Sequence, residues 1–212
     1  MASFIFKKVL LAILIVSVVP LAGLNAAAGE SASTLAPDPI FPALETDNPL
    51  FEMMPVFTWR PATGRAAINI VAYRLEISLE PSFQTPRVLY TPPLDNELID
   101  LVITDSLAFG THYWWRVAGI FRDGTVVYSD MADFWTWLPG DIDHSHAVNI
   151  GDLVFIVNYM FGGGGPTDPS FVMDVNGDCI APDVADLIYL VAYMFTNGAA
   201  PRAGCLNRSG LL

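Results

Sequence analysis

Residues 111–117 read Thr-His-Tyr-Trp-Trp-Arg-Val. In a strand, side chains alternate between faces, so Tyr113, Trp115 and Val117 share one face and His112, Trp114 and Arg116 the other. The same period of two runs through 72–79 (AYRLEISL). It predicts Tyr73, Leu75, Ile77 and Leu79 inward and Arg74, Glu76 and Ser78 outward. Upstream, Phe57 and Trp59 fall on one face of Pro55-Val56-Phe57-Thr58-Trp59. Downstream, Arg122-Asp123-Gly124-Thr125 marks a turn before Val126-Val127-Tyr128, and Phe134-Trp135-Thr136-Trp137 reads as a last strand. About seven strands in roughly a hundred residues is the arithmetic of a two-sheet β-sandwich, expected over 40–138.

Beyond residue 140 the pattern changes. Shifted by 34 positions, Asp152-Leu153-Val154-Phe155-Ile156-Val157-Asn158-Tyr159-Met160-Phe161 lies over Asp186-Leu187-Ile188-Tyr189-Leu190-Val191-Ala192-Tyr193-Met194-Phe195. Most positions are identical, and Gly and Pro follow each copy as helix stops. Both segments are apolar nearly all round, which predicts burial on more than one face. At about 1.5 Å per residue each is some 15 Å long, too short to span a bilayer. The linker Leu138-Pro139-Gly140 is short enough for these helices to dock on the chain's own sandwich.

An acidic loop precedes each segment. The first runs Asp141-Ile142-Asp143-His144-Ser145-His146-Ala147-Val148-Asn149-Ile150-Gly151-Asp152. Oxygen-bearing side chains stand at positions 1 (Asp141), 3 (Asp143), 5 (Ser145), 9 (Asn149) and 12 (Asp152), and Ala147 at position 7 offers its carbonyl. This is the spacing of a calcium loop, because a hard cation takes six to eight oxygens at about 2.3–2.6 Å. Position 6 is His146, where glycine is usual, so a positive φ is expected there. In the second loop Asp174, Asn176, Asp178 and the Ile180 carbonyl repeat positions 1, 3, 5 and 7, with Cys179 at position 6. One extra residue in Ala181-Pro182-Asp183 moves the closing Asp186 to position 13. The loop then bulges, or Asp183 contributes, or the site is weak. Residues 141–200 hold eight Asp and no Lys or Arg, so folding of this stretch is expected to depend on bound cations. His144 and His146 lack the further His or Cys that a transition metal would select.

Two resemblances rest on these residues. The run FTWRPATG, YRLEIS, PSF, THYWWRV and FWTW resembles a bacterial fibronectin type III-like domain, with Trp59, Tyr73, Tyr113 and Trp115 at its core positions. The repeats GDIDHSHAVNIGDLVFIVNYMF and MDVNGDCIAPDVADLIYLVAYMF resemble a dockerin. The combined expectation is a multidomain chain: an all-β fibronectin type III-like sandwich followed by a small all-α dockerin-like pair of calcium loop–helix repeats over 139–201, with a tail at 202–212. The dockerin resemblance implies one Ca2+ per loop and helix faces that dock a cohesin-like domain. The positions that meet cohesin in that family are Ile150-Gly151 and Val184-Ala185 here, in place of a polar pair.

The whole chain has 212 residues, 53% apolar and 15% charged, with net charge −12. Its only lysines, Lys7 and Lys8, precede an apolar run Val9–Val19, Pro20 and the small residues Ala26-Ala27-Ala28. Residues 1–28 therefore read as a secretory signal and 29–39 as a loose leader. Without residues 1–28 the charge becomes 8 − 22 = −14, which argues against nucleic acid and anionic membrane as partners. Outside the cytoplasm Cys179 and Cys205 can pair in a disulfide. The lone sandwich histidine, His112, has no nucleophile in view, so no enzyme is expected. The expected role is secreted or cell-surface, non-catalytic and calcium-dependent assembly, with a cohesin-like partner or the chain's own sandwich, in polysaccharide degradation. The alternative is carbohydrate binding or adhesion through Trp114 and Trp135 or Trp137.

Overall fold

The computed structural model describes residues 36–42, 49–63, 67–91, 98–180 and 182–202. The expected signal (1–28), most of the leader, Cys205 and most of the tail lie outside the described residues. Among the described residues eight strands form two sheets. One holds β1 (Asp38–Phe41), β2 (Val56–Arg60) and β5 (Ile99–Val102) in the order β1-β2-β5. The other holds β4 (Arg87–Thr91), β3 (Ile70–Ser78), β6 (His112–Phe121) and β7 (Val126–Tyr128) in that order, with β8 (Ala132–Trp135) also paired to β6. Two antiparallel sheets in this strand order resemble a fibronectin type III-like sandwich.

The alternating residues build its core. Phe57 and Trp59 of β2 and Ile99 of β5 meet Tyr73, Leu75 and Ile77 of β3 and Tyr113, Trp115 and Val117 of β6, all buried. Phe57 meets Trp115 edge-on at 5.1 Å between ring centres, and Trp59 meets Tyr73 at 6.0 Å. Both are T-shaped geometries that aromatic quadrupoles favour. The Trp115 indole also donates to the Pro42 carbonyl at 2.8 Å.

The outward face departs from the simple alternation. Glu76, expected in solvent, is 4% exposed, whereas Leu79, expected inside, is 65% exposed because β3 ends at Ser78. Glu76 is covered by the arginines on either side of it. Arg74 Nη2 lies 2.8 Å from Oε1 and Arg116 Nη2 2.7 Å from Oε2. The Arg116 guanidinium is itself held between the rings of Phe83 and Tyr128, 4.1 and 4.0 Å from their centroids. A carboxylate between two cations with an aromatic roof can leave water, because its charge is matched and its oxygens are bonded.

The C-terminal part requires a correction to the expected fold class. Among the described residues the chain is mostly β, with two α-helices, α1 (Ile150–Phe161) and α2 (Val184–Thr196), and a short 3-10 turn at Ser170–Met173. A freestanding all-α dockerin-like pair is not supported, and the described residues belong to one compact unit. The reason is packing. Two helices of 12 and 13 residues enclose too little apolar surface to close a core alone. Leu153 and Ile156 of α1 and Leu190 of α2 are buried with Ile142, Val172, Met173 and Val175. The same cluster takes in Trp137, from the end of the sandwich. Phe51 packs there too, with its ring 5.9 Å from Trp137 and 5.6 Å from Phe171. The Leu50 N–H donates to the Trp135 carbonyl at 2.7 Å and the Trp137 N–H donates to the Leu50 carbonyl at 2.9 Å, which holds Phe51 beside Trp137. Among the described residues no helix is long and apolar enough to cross a membrane.

Candidate metal centre

Each acidic loop is wound by its first aspartate. In loop one, Asp141 Oδ1 accepts from the Ser145 N–H at 2.9 Å and Oδ2 from the His146 N–H at 2.9 Å. In loop two, Asp174 Oδ1 accepts from Gly177 and Asp178 at 2.9 and 3.1 Å, and Oδ2 from Cys179 at 3.1 Å. A carboxylate gathering several N–H groups bends the chain tightly, so the turn needs left-handed residues at positions 4 and 6. His144 (φ 60°) and His146 (φ 65°) supply them in loop one, Gly177 (φ 72°) and Cys179 (φ 70°) in loop two.

The last aspartate closes the loop and starts the helix at once. Asp152 Oδ1 accepts from Ile142 at 2.5 Å and Asp143 at 3.2 Å, while Oδ2 accepts from Asn149 at 2.7 Å. The Asn149 side chain returns the favour by capping α1, accepting from the Gly151 N–H at 2.7 Å in a reciprocal capping box. Asp186 repeats this, accepting from Asn176 at 3.2 Å and Asp183 at 2.9 Å.

The structure thus relates the two closing residues despite the extra residue. Ala181, in the added stretch, lies outside the described residues. Asp183 stands where Asn149 stands: it caps α2 by accepting from the Ala185 N–H at 2.6 Å. It belongs with the loop-two candidates beside Asp174, Asn176, Asp178 and Asp186. Counting three residues back from the closing aspartate, as a capping box demands, identifies it.

In loop one, oxygens of Asp141, Asp143 and Asp152 lie within 4.8 Å of one another. Two ligands across a calcium ion are separated by at most about 5 Å, twice the metal–oxygen distance, so these three fit one ion. Ser145 and Asn149 are linked to the same cage: Ser145 Oγ and Asn149 Nδ2 both donate to the Ala147 carbonyl, at 3.3 and 3.0 Å. In loop two the Asn176 amide donates to Asp178 Oδ2 at 3.0 Å. Ile180 is exposed and donates its N–H to Asp178 Oδ1 at 2.9 Å.

No protein-family model matches the chain, and no curated protein matches it. Among solved structures, one described as "Myokine structure" is 16% identical with a TM-score of 0.34, covering 50% of this chain and 99% of that one. The fibronectin type III domain of human fibronectin type III domain containing protein 3 is 17% identical with a TM-score of 0.30, over 54% of this chain and 96% of that one. A β-1,2-glucanase from Parabacteroides distasonis is 15% identical with a TM-score of 0.33, over 63% of this chain but only 16% of the enzyme.

The electrostatics of the loops follow from burial. Asp141, Asp152 and Asp186 have pKa values raised above the ordinary 3.8, first by desolvation and further by neighbouring carboxylates, which outweigh the N–H bonds that lower them. A raised folded-state value means that these groups favour the metal-free fold below about pH 3.8. That contribution is lost as the pH rises through the raised values. A cation reverses the sign, since it binds the ionised form and displaces the proton. Calcium should therefore leave the melting temperature nearly unchanged at pH 3 and raise it at pH 7. Each site filled at a hundred times its Kd adds about 2.7 kcal/mol. Thermal melts at both pH values, with calcium and with chelator, measure this, and an equal calcium effect at pH 3 would contradict it.

Cys179 is in a disulfide. His112, the one sandwich histidine, lies 2.6 Å from Asp133 Oδ2 and stacks on Trp135. Trp114 and Trp135 are half-buried in that stack, and Trp137 is buried in the second core.

Proposed function

We propose that this chain is a non-catalytic, calcium-ordered assembly protein, in which ions held by the two acidic loops fix α1 and α2 for docking on another protein. The observation that carries this reading is a pair of matching apolar stripes. On α1, Ile150, Val154, Val157 and Phe161 are exposed, and on α2 the equivalent Val184, Ile188, Val191 and Phe195 are exposed. Both stripes follow the spacing i, i+4, i+7, i+11, one ridge of a helix. The inner faces already pack against Trp137 and Phe51, so the outer ones are free for a partner. No charged side chain interrupts either stripe, and so the complementary surface on a cohesin-like partner would be apolar. Exposed apolar patches of this kind mark interaction sites. The disulfide at Cys179 supports an oxidising, extracytoplasmic setting.

Calorimetric titration of the full chain with calcium chloride tests the ion half of this reading, with two binding events expected. The docking half is tested with Val157→Asp/Val191→Asp. This exposed pair should leave calcium binding unchanged and abolish calcium-dependent retention of a purified cohesin-like domain. Absence of calcium heat, or retention that persists in chelator, would overturn the reading.

A further inference from the structure

Position 6 of a tightly wound cation loop ordinarily belongs to glycine, because the backbone there is left-handed. This chain places side chains there in both loops, His146 at φ 65° and Cys179 at φ 70°, and a residue with a Cβ is disfavoured in that conformation. Each side chain has a distinct tether. Cys179 is held in a disulfide. His146 lays its imidazole on Trp135, with ring centres 4.4 Å apart and planes 19° apart. The stack continues inward: Trp135 lies on His112 at 4.6 Å and 10°, and His112 lies against Trp114 at 3.9 Å. His112 and Trp135 are register partners across β6 and β8, and Asp133 fixes the His112 ring through a 2.6 Å contact at Nε2.

Four rings thus lead from the first loop across the outer face of the sandwich. At the loop end, the same Asp141 carboxylate that faces the cage accepts the His146 N–H. We propose that the first loop and the β6–β8 face form one coupled device: a cation on Asp141 locks His146 in its left-handed turn, and His146 clamps Trp135. The sandwich then reads the occupancy of loop one, whereas loop two is tied through Cys179. This rests on the calcium reading above, and goes beyond it by assigning His146 as a positioning residue that transmits the ion's presence to the sandwich.

The test uses the full chain with 15N-labelled tryptophan and calcium chloride as the probe, with calorimetry on the same samples. Calcium should shift the Trp135 indole resonance and slow hydrogen exchange of the β8 amides by about tenfold, as expected when a local opening is suppressed. In His146→Gly the loop conformation is favoured and the ring is gone. Calcium should still bind as well as in the parent chain, while the Trp135 shift and the added β8 protection disappear. His146→Asn, which also tolerates a left-handed backbone, should behave alike. Calcium heat without a Trp135 response in the parent chain, or a response that survives in both variants, would overturn the coupling alone. Absence of calcium heat would overturn the calcium reading and the coupling together.

Discussion

Alanine at position 152 should delete calcium binding in the first loop and loosen the start of α1. Asp152 is fully buried, and its two oxygens accept the N–H groups of Ile142, Asp143 and Asn149. Truncation leaves those donors without their acceptor, at about 1–3 kcal/mol for each one that stays buried and unbonded. The Asn149 donor is the Asp152 half of the capping box, so the same truncation leaves the cap with only the Asn149 side-chain bond. In a calcium titration the stoichiometry should fall from two ions to one. Asp152→Asn separates the two roles. The amide oxygen can keep the Ile142 and Asp143 bonds while its NH2 then faces the Asn149 N–H, so the fold loses less than with alanine, and the charge that attracts the cation is gone. Asp186→Asn should remove the other event in the same way. Two binding events of parental affinity in Asp152→Asn would show that the closing carboxylate is only a cap.

The second large effect lies in the sandwich. Glu76→Ala should cost about 3–5 kcal/mol, the range for removing one member of a buried ion pair. Arg74 and Arg116 would be left facing each other across an empty site, their guanidinium groups mostly removed from water. The exposed pair Arg60–Asp38, with side chains 63% and 62% accessible, is the internal control. Asp38→Ala should change stability by no more than about 1 kcal/mol. Chemical denaturation measures both. A loss below about 1 kcal/mol for Glu76→Ala would mean that water replaces the carboxylate without penalty, and that the outer face is softer than its geometry.

Local pattern was enough for much of this. Period-two alternation in 111–117 and 72–77 identified Trp115, Val117, Tyr73, Leu75 and Ile77 as core, because strand geometry ties neighbours in sequence to opposite faces. The acidic spacing likewise picked out the residues that the structure gathers as Asp141, Asp143 and Asp152, since one tight loop contains all of them. The fates of Glu76 and Leu79 were not legible: the burial of Glu76 depends on Arg116 and Tyr128, which reach it through sheet pairing, and the exposure of Leu79 on β3 ending at Ser78. Asp183 stood only as one of three alternatives because one added residue displaced the count from the start of its loop.

By itself, then, the order of residues determined the alternating strands, the left-handed positions 6 and the two acid-capped helix starts. Each of these is a matter of a few adjacent dihedral angles and hydrogen bonds. Tertiary structure alone decided that Trp137 and Phe51 complete the helical core, that the outer stripes stay exposed, and that His146 lies on Trp135. Those outcomes depend on which surfaces are brought together across the chain. Two short apolar helices with the same periodicity are compatible with a freestanding pair or with a cap on a sandwich. Only the area left to bury once the β-sheets have closed distinguishes the two.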